Sequence, residues 1–279
     1  MTATVPTARF EPAAQRPASA GFGHLLQSEW TKIRSVRSTT WSLTLLLVLA
    51  FGFTTLIVGL TVAQWSDTDA GDRASIIADP VSFILAAGFQ FAQLTICVLG
   101  VLVMAGEYST GMIKASLLAV PKRIPMLAAK SIVFATLVFV VGLLVAFPSF
   151  FIGAALLNDK ASVSLGDPGV LRAVIGAGLY LAVLGLFALA IAALVRHTGA
   201  GITGVIGFVL VLAPLAQLLP GSLGEHVHAY LPSEAGHLIA QARQGEDDLL
   251  SPWQGFGVFC LWTAVLLAIA TYVLNRRDA

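Results

Sequence analysis

Gly106-Glu107-Tyr108-Ser109-Thr110-Gly111-Met112-Ile113-Lys114-Ala115-Ser116-Leu117-Leu118-Ala119-Val120-Pro121-Lys122-Arg123 is a polar island between two long apolar runs, and its reading decides the fold. Glu107 ends the run before it, Thr110-Gly111 turns the chain, and Met112, Ile113, Leu117 and Val120 recur near helical spacing until Pro121-Lys122-Arg123 stops them. Two readings fit that spacing. One is a short helix lying at a membrane face, apolar side down and open to contact from the water side. The other is an ordinary interhelical loop with a helical turn.

Composition sets the surroundings of that island. With 57% hydrophobic and 11% charged residues and a mean hydropathy of +0.86, the chain lies far outside the soluble norm and reads as an integral membrane protein. Six runs carry no Asp, Glu, Lys, Arg or His: Trp41–Ala63, Val81–Ala105, Ser131–Ile152, Val174–Val195, Gly199–Leu219 and Gly255–Leu274. At about 1.5 Å rise per residue, runs of this length cross a hydrocarbon core of about 30 Å. The expectation is an all-α protein with six transmembrane helices.

Residues 1–20 have neither an apolar core nor periodicity, which predicts a disordered cytosolic tail rather than a cleaved signal peptide. Over residues 21–40 Phe22, Leu25, Leu26, Trp30, Ile33 and Val36 follow a 3.6 period with Lys32, Arg34 and Arg37 between them. A basic amphipathic helix directly before a span reads as an interfacial helix on an anionic leaflet.

Basic residues set the orientation. With a cytosolic amino terminus, Arg9, Arg16, Lys32, Arg34, Arg37, Lys114, Lys122, Arg123, Lys130, Arg196, Arg276 and Arg277 lie inside, against Arg73, Lys160, Arg172 and Arg243 outside. Both termini are then cytosolic, and eleven of the fifteen acidic residues fall on the outer side. Cys97 and Cys260 lie at depths that differ by about 15 Å, too far apart for a disulfide, and read as packing residues.

Within the spans, Gln90 and Gln93 share one helix face and are candidate pathway residues, with interhelical hydrogen bonding as the plainer explanation. Gly199, Gly201, Gly204 and Gly207 give the fifth span a small-residue surface. Pro148 and Pro214 predict kinks or breaks. The outer segment 220–253 carries apolar groups around Pro232-Ser233 and predicts two short helices resting on the outer half of the membrane, capping a pathway. Its Glu225, His226, His228 and His237 raise a metal site, but no span supplies a further ligand, and none is assigned.

The sequence contains no G-x-x-x-x-G-K-[ST], no H-E-x-x-H and no G-x-S-x-G. It also has no ionisable residue expected at mid-membrane, where ion-coupled transporters keep a relay. A membrane protein with no fuel of its own is passive or is driven by a partner.

Ser28-Glu29-Trp30-Thr31-Lys32-Ile33-Arg34-Ser35 before the first span, and Gly106-Glu107-Tyr108-Ser109-Thr110-Gly111 with Ala119-Val120-Pro121-Lys122-Arg123 after the second, resemble the permease subunits of ABC-2 type exporters, particularly actinobacterial ones. The resemblance runs from about Phe22 to Arg277. It implies a cell-membrane permease domain over 41–279 that dimerises, most simply as a homodimer, and docks an ABC ATPase subunit at its cytosolic face. It also implies a connecting helix over Phe22–Ser38 and a coupling segment over 107–123. Glu107, Tyr108, Thr110, Gly111, Lys114, Lys122 and Arg123 would couple to the ATPase, and Trp30, Lys32, Arg34 and Arg37 would serve the interfacial helix. Glu107 would pair with Lys32, Arg34 or Arg123, unless it is simply a solvated carboxylate. No catalytic residue and no cofactor are expected in this chain, since ATP and Mg would be bound by the partner, and no nucleic acid is expected. Two alternatives stand beside the exporter: a motor-independent channel or immunity protein, and a membrane-anchored enzyme or assembly factor with a site in the outer loop.

Overall fold

In lipid every backbone N–H and C=O must be bonded within the protein, so uncharged apolar runs of this length fold as helices. A computed structural model describes residues 21–112, 123–245 and 248–276, and no strand occurs among them. The expected tail at 1–20 lies outside the described residues, as do Lys114, Lys122 and most of the proposed coupling helix.

Helix α1 (Phe22–Ser35) precedes α2 (Arg37–Ala63), α3 (Ala70–Ala78), α4 (Pro80–Ser109), α5 (Arg123–Leu157) and α6 (Val170–Val195). Then come α7 (Thr198–Ile206), a π-turn (Gly207–Val211), α8 (Leu212–Gln217), α9 (Ser222–Ala229), α10 (Pro232–His237), a 3-10 turn (Leu238–Ala240) and α11 (Pro252–Arg276). Six helical stretches are long and apolar enough to span a membrane: Thr39–Ala63, Pro80–Ser109, Arg123–Leu157, Val170–Val195, Thr198–Gln217 and Pro252–Arg276. This is an all-α architecture of the membrane type. Each span contains most of the charge-free run expected for it, and α5 extends that run by two turns to take in Arg123 and Lys130.

Burial orders the bundle. The apolar windows of α4 and α6 are 61% and 67% buried, whereas those of α2 and α11 are 22% buried, so α4 and α6 form the centre and α2 and α11 the rim. At the α5–α6 crossing Gly142 faces Gly178, and an added Cβ at Gly142 would lie 2.8 Å from the Gly178 Cα. The close approach is one that only small residues permit. Two ends of the bundle are chemically distinct. The basic end carries α1, the end of α4, the start of α5, Arg196 and Arg276; the acidic end carries α3, the 158–169 loop and the 220–253 segment.

The amphipathic helix is shorter than its apolar period implies. It stops at Ser35, Val36 is extended (φ −84°, ψ 106°), and Arg37 already opens the first span. Its packed face is Leu25, Glu29 and Ile33, while Phe22, Trp30, Arg34 and Arg37 are exposed. A carboxylate therefore lies in the middle of the face that packs on α5.

The two prolines differ. Pro148 does not break α5, which runs through it from Arg123 to Leu157, because one missing N–H leaves the ladder bonded on either side. Before Pro214 the fifth span does loosen: residues 207–211 form a π-turn, closed by the Leu212 N–H donating to the Gly207 carbonyl. The proline ring excludes the normal position of the Leu210 carbonyl, and the wider turn accommodates it. Of the fifth-span glycines only Gly201 is closely packed, 2.9 Å from its added Cβ to Val101, while Gly207 meets open space.

Candidate functional site

At the basic end α1, the last turn of α4 and the first turns of α5 converge on four charged side chains. Lys130, 2% exposed, donates to Glu29 Oε2 at 2.7 Å and to Glu107 Oε1 at 2.7 Å. Lys32 donates to Glu29 Oε1 at 2.6 Å and to Glu107 Oε1 at 3.1 Å. Two carboxylates and two ammonium groups thus form a closed, charge-balanced ring across three elements. Glu107 Oε2 is buried and accepts no hydrogen bond among the described residues.

The electrostatics follow from burial and pairing. Burial alone would push the Glu29 carboxyl up, but the charges and hydrogen bonds of Lys130 and Lys32 outweigh it and hold the group below its ordinary 4.5. Burial likewise pulls on Lys32 from below, and Glu29 and Glu107 reverse the sign, leaving its pKa above 10.5. Glu29 and Lys32 are thereby held charged at neutral pH, and the four side chains form an ionic joint across α1, α4 and α5.

The expected pairing of Glu107 with Lys32 is present. Arg34 is exposed instead, and the Arg123 guanidinium donates to the Leu274 carbonyl, tying α5 to the end of α11. Tyr108 lies under Arg196, whose guanidinium carbon is 5.3 Å from the ring centroid. Thr110 closes α4 by donating from its hydroxyl to the Gly106 carbonyl at 2.8 Å, and Gly111 takes a left-handed φ of 69° that turns the chain away. Glu107 and Tyr108 belong to the end of α4 rather than to a separate coupling helix.

Glu29 and Lys130 were not among the residues singled out by sequence. Lys130 was counted only as a charge that sets orientation, and Glu29 only as part of a motif. The available signal was the Glu29/Lys32 spacing of three, which places both on one helix face.

Toward the acidic end the Gln90/Gln93 pair opens onto a cavity of about 310 Å³. Gln93 is buried and its Oε1 accepts from the Tyr180 hydroxyl at 3.2 Å, while Gln90 is exposed to the cavity. The far wall comes from the 220–253 segment. That segment does not rest on the bundle, as expected, but descends into it: Ala235 and Ile239 are fully buried, and the His237 ring stands 6.1 Å from those of Tyr180 and Phe89. Glu234 and His237 of this segment line the cavity. Glycines make the descent possible, since an added Cβ at Gly176 would strike the Ile239 carbonyl and one at Gly236 the Phe259 ring.

Among the described residues no group of three His, Cys, Asp or Glu could hold a metal ion. His226 Nδ1 is engaged with the Ser222 carbonyl at 2.7 Å. Cys97 and Cys260 are free thiols. The chain matches no protein-family model, and a comparison with curated proteins finds no relative.

Proposed function

We propose that this chain is the permease subunit of an ABC-2 type exporter, a cell-membrane dimer with its basic end in the cytosol, driven there by a separate ATPase subunit. The observation that carries the reading is the ionic joint. Lys130 and Glu107 lie on either side of the chain between α4 and α5, and Glu29 and Lys32 clamp α1 to both. A force applied to that stretch cannot bend α4 against α5 without separating buried opposite charges, so the helices tilt together with α1. A rigid joint where α4 and α5 meet is what a chain without a phosphate loop needs to receive mechanical work. The polar cavity between α4, α6 and the fifth span gives the tilt something to open and close.

Capture of the full chain from native membranes, followed by mass spectrometry, tests the reading. The expected result is a stoichiometric companion with a phosphate-loop sequence, whose ATPase activity is uncoupled from transport by Glu107→Ala. Failure to recover such a companion, or transport by the isolated polypeptide in vesicles, overturns it.

A further inference from the structure

The cavity beside Gln93 has one carboxylate, that of Glu234, in its lining. Its lining includes no Lys or Arg. Glu234 accepts no hydrogen bond among the described residues, and its nearest cationic candidate is His228, with Nε2 3.7 Å from Glu234 Oε2. That same His228 nitrogen lies 2.9 Å from the side-chain amide of Gln217, so it is shared between two polar neighbours. Burial pushes His237 below its ordinary 6.5 despite the pull of Glu234, so this ring is neutral at pH 7.

One buried polar group at the same cavity lacks a partner. Ser233, 4% exposed, has a hydroxyl with no hydrogen bond among the described residues. Buried polar groups are almost always paired, so an unmatched one at a cavity points to a ligand that matches it. Gln93 lines the same cavity with its oxygen engaged by the Tyr180 hydroxyl, so its amide N–H groups are what it can offer a ligand. Gln90 and Gln217 add further polar groups, and Val209, Leu210, Ala213 and Pro214 form an apolar part of the wall. Gln90 and Tyr180 each lie ten residues inside their helices, about 15 Å from the acidic end. A wider basin of about 810 Å³, sharing His228, Glu234 and His237 and adding Glu225 and Asp248, leads to the cavity.

We propose that this cavity binds an organic cation, a protonated amine that also carries a carbonyl or hydroxyl oxygen. Glu234 is its counter-ion, Gln93 donates to its oxygen, and the apolar wall receives its hydrocarbon. A carboxylate in a cavity whose lining holds no Lys or Arg selects by charge. An anion is repelled, and a neutral analogue leaves Glu234 unpaired. That the ligand is cargo rests on the exporter reading; that it binds does not.

The test is equilibrium binding to the purified full chain in lipid nanodiscs, with empty nanodiscs subtracted. The probes are procainamide, a protonated amine with an amide carbonyl, and N-butyl-4-aminobenzamide, which lacks the amine. Saturable binding of procainamide, weakened about tenfold or more by Glu234→Gln and partly restored by Glu234→Asp, is the expected result. Binding of the neutral analogue should not be weakened by Glu234→Gln. Equal binding of procainamide to wild type and Glu234→Gln, preference for the neutral compound, or no saturable binding overturns the assignment. No ATPase takes part, so charge-selective binding with no ATPase companion would overturn the exporter alone.

Discussion

Lys130 has two carboxylates at 2.7 Å and almost no water. Moving ions out of water costs several kcal/mol each, and only their mutual attraction offsets it. Lys130→Met would leave Glu29 and Glu107 with Lys32 alone, a net negative charge in a buried place. The expected loss is about 3–5 kcal/mol of stability, read from thermal unfolding in detergent. Adding Glu107→Gln leaves the Glu29–Lys32 pair, so the double variant should lose less than the sum of the two single changes. The joint should also be insensitive to pH through the neutral range. The depressed Glu29 pKa stabilises the fold above its unfolded value, an advantage lost only as pH falls through its still lower folded value. The raised Lys32 pKa stabilises below its unfolded value, an advantage lost only as pH rises through its higher folded value. The joint's contribution to the melting temperature should be flat from about pH 5 to pH 9 and fall outside it. The Lys32–Glu107 contact was legible because both residues flank spans on the side richer in basic residues. Lys130 was not, because a lysine one residue before an apolar run looks the same in sequence whether its ammonium points to water or to two carboxylates.

The element most altered by tertiary contacts is the 220–253 segment. Its sequence predicts surface helices, and α9 and α10 are indeed short helices broken at Pro232, but α10 and the 3-10 turn after it are held between α6 and α11. The reason is local and steric. Gly176 leaves room for the Ile239 carbonyl, and Gly255 for that of Ala235, contacts that any Cβ would block. Gly176→Ala should therefore destabilise the protein by about 1–3 kcal/mol through displaced backbone, and binding at the Glu234 cavity should weaken with it. Gly204→Ala is the matched control. Its Cβ would have only Ile191 at 4.0 Å, and it should be neutral or slightly stabilising, because alanine is the better helix former. Helix-breaking is likewise decided by context: Pro148 and Pro214 look alike in sequence, yet α5 stays continuous and the fifth span loosens into a π-turn.

At the scale of the molecule, the outward faces of α2 and α11 carry exposed Trp41, Val48, Trp253, Leu261 and Tyr272, surfaces that water would not tolerate and hydrocarbon would. The orientation inferred from basic residues makes a direct prediction. In a chain with Cys97 and Cys260 replaced by alanine, Ser109→Cys at the exposed end of α4 should react with a membrane-impermeant thiol reagent in inverted vesicles and not in intact cells. The reverse pattern would place the ionic joint on the outer surface and remove the basis for a cytosolic motor. The six helices, their approximate limits and the asymmetry of charge between the two ends were determined by the sequence alone. Each follows from the free energy of placing one residue type in lipid or water, which depends little on neighbours. Only the tertiary structure decided that Glu29, Lys32, Glu107 and Lys130 form one ring, and that Glu234 reaches the cavity beside Gln93. Both depend on distances between residues far apart in the chain, set by how the helices pack, and at the cavity by the close approach that Gly176, Gly236 and Gly255 permit.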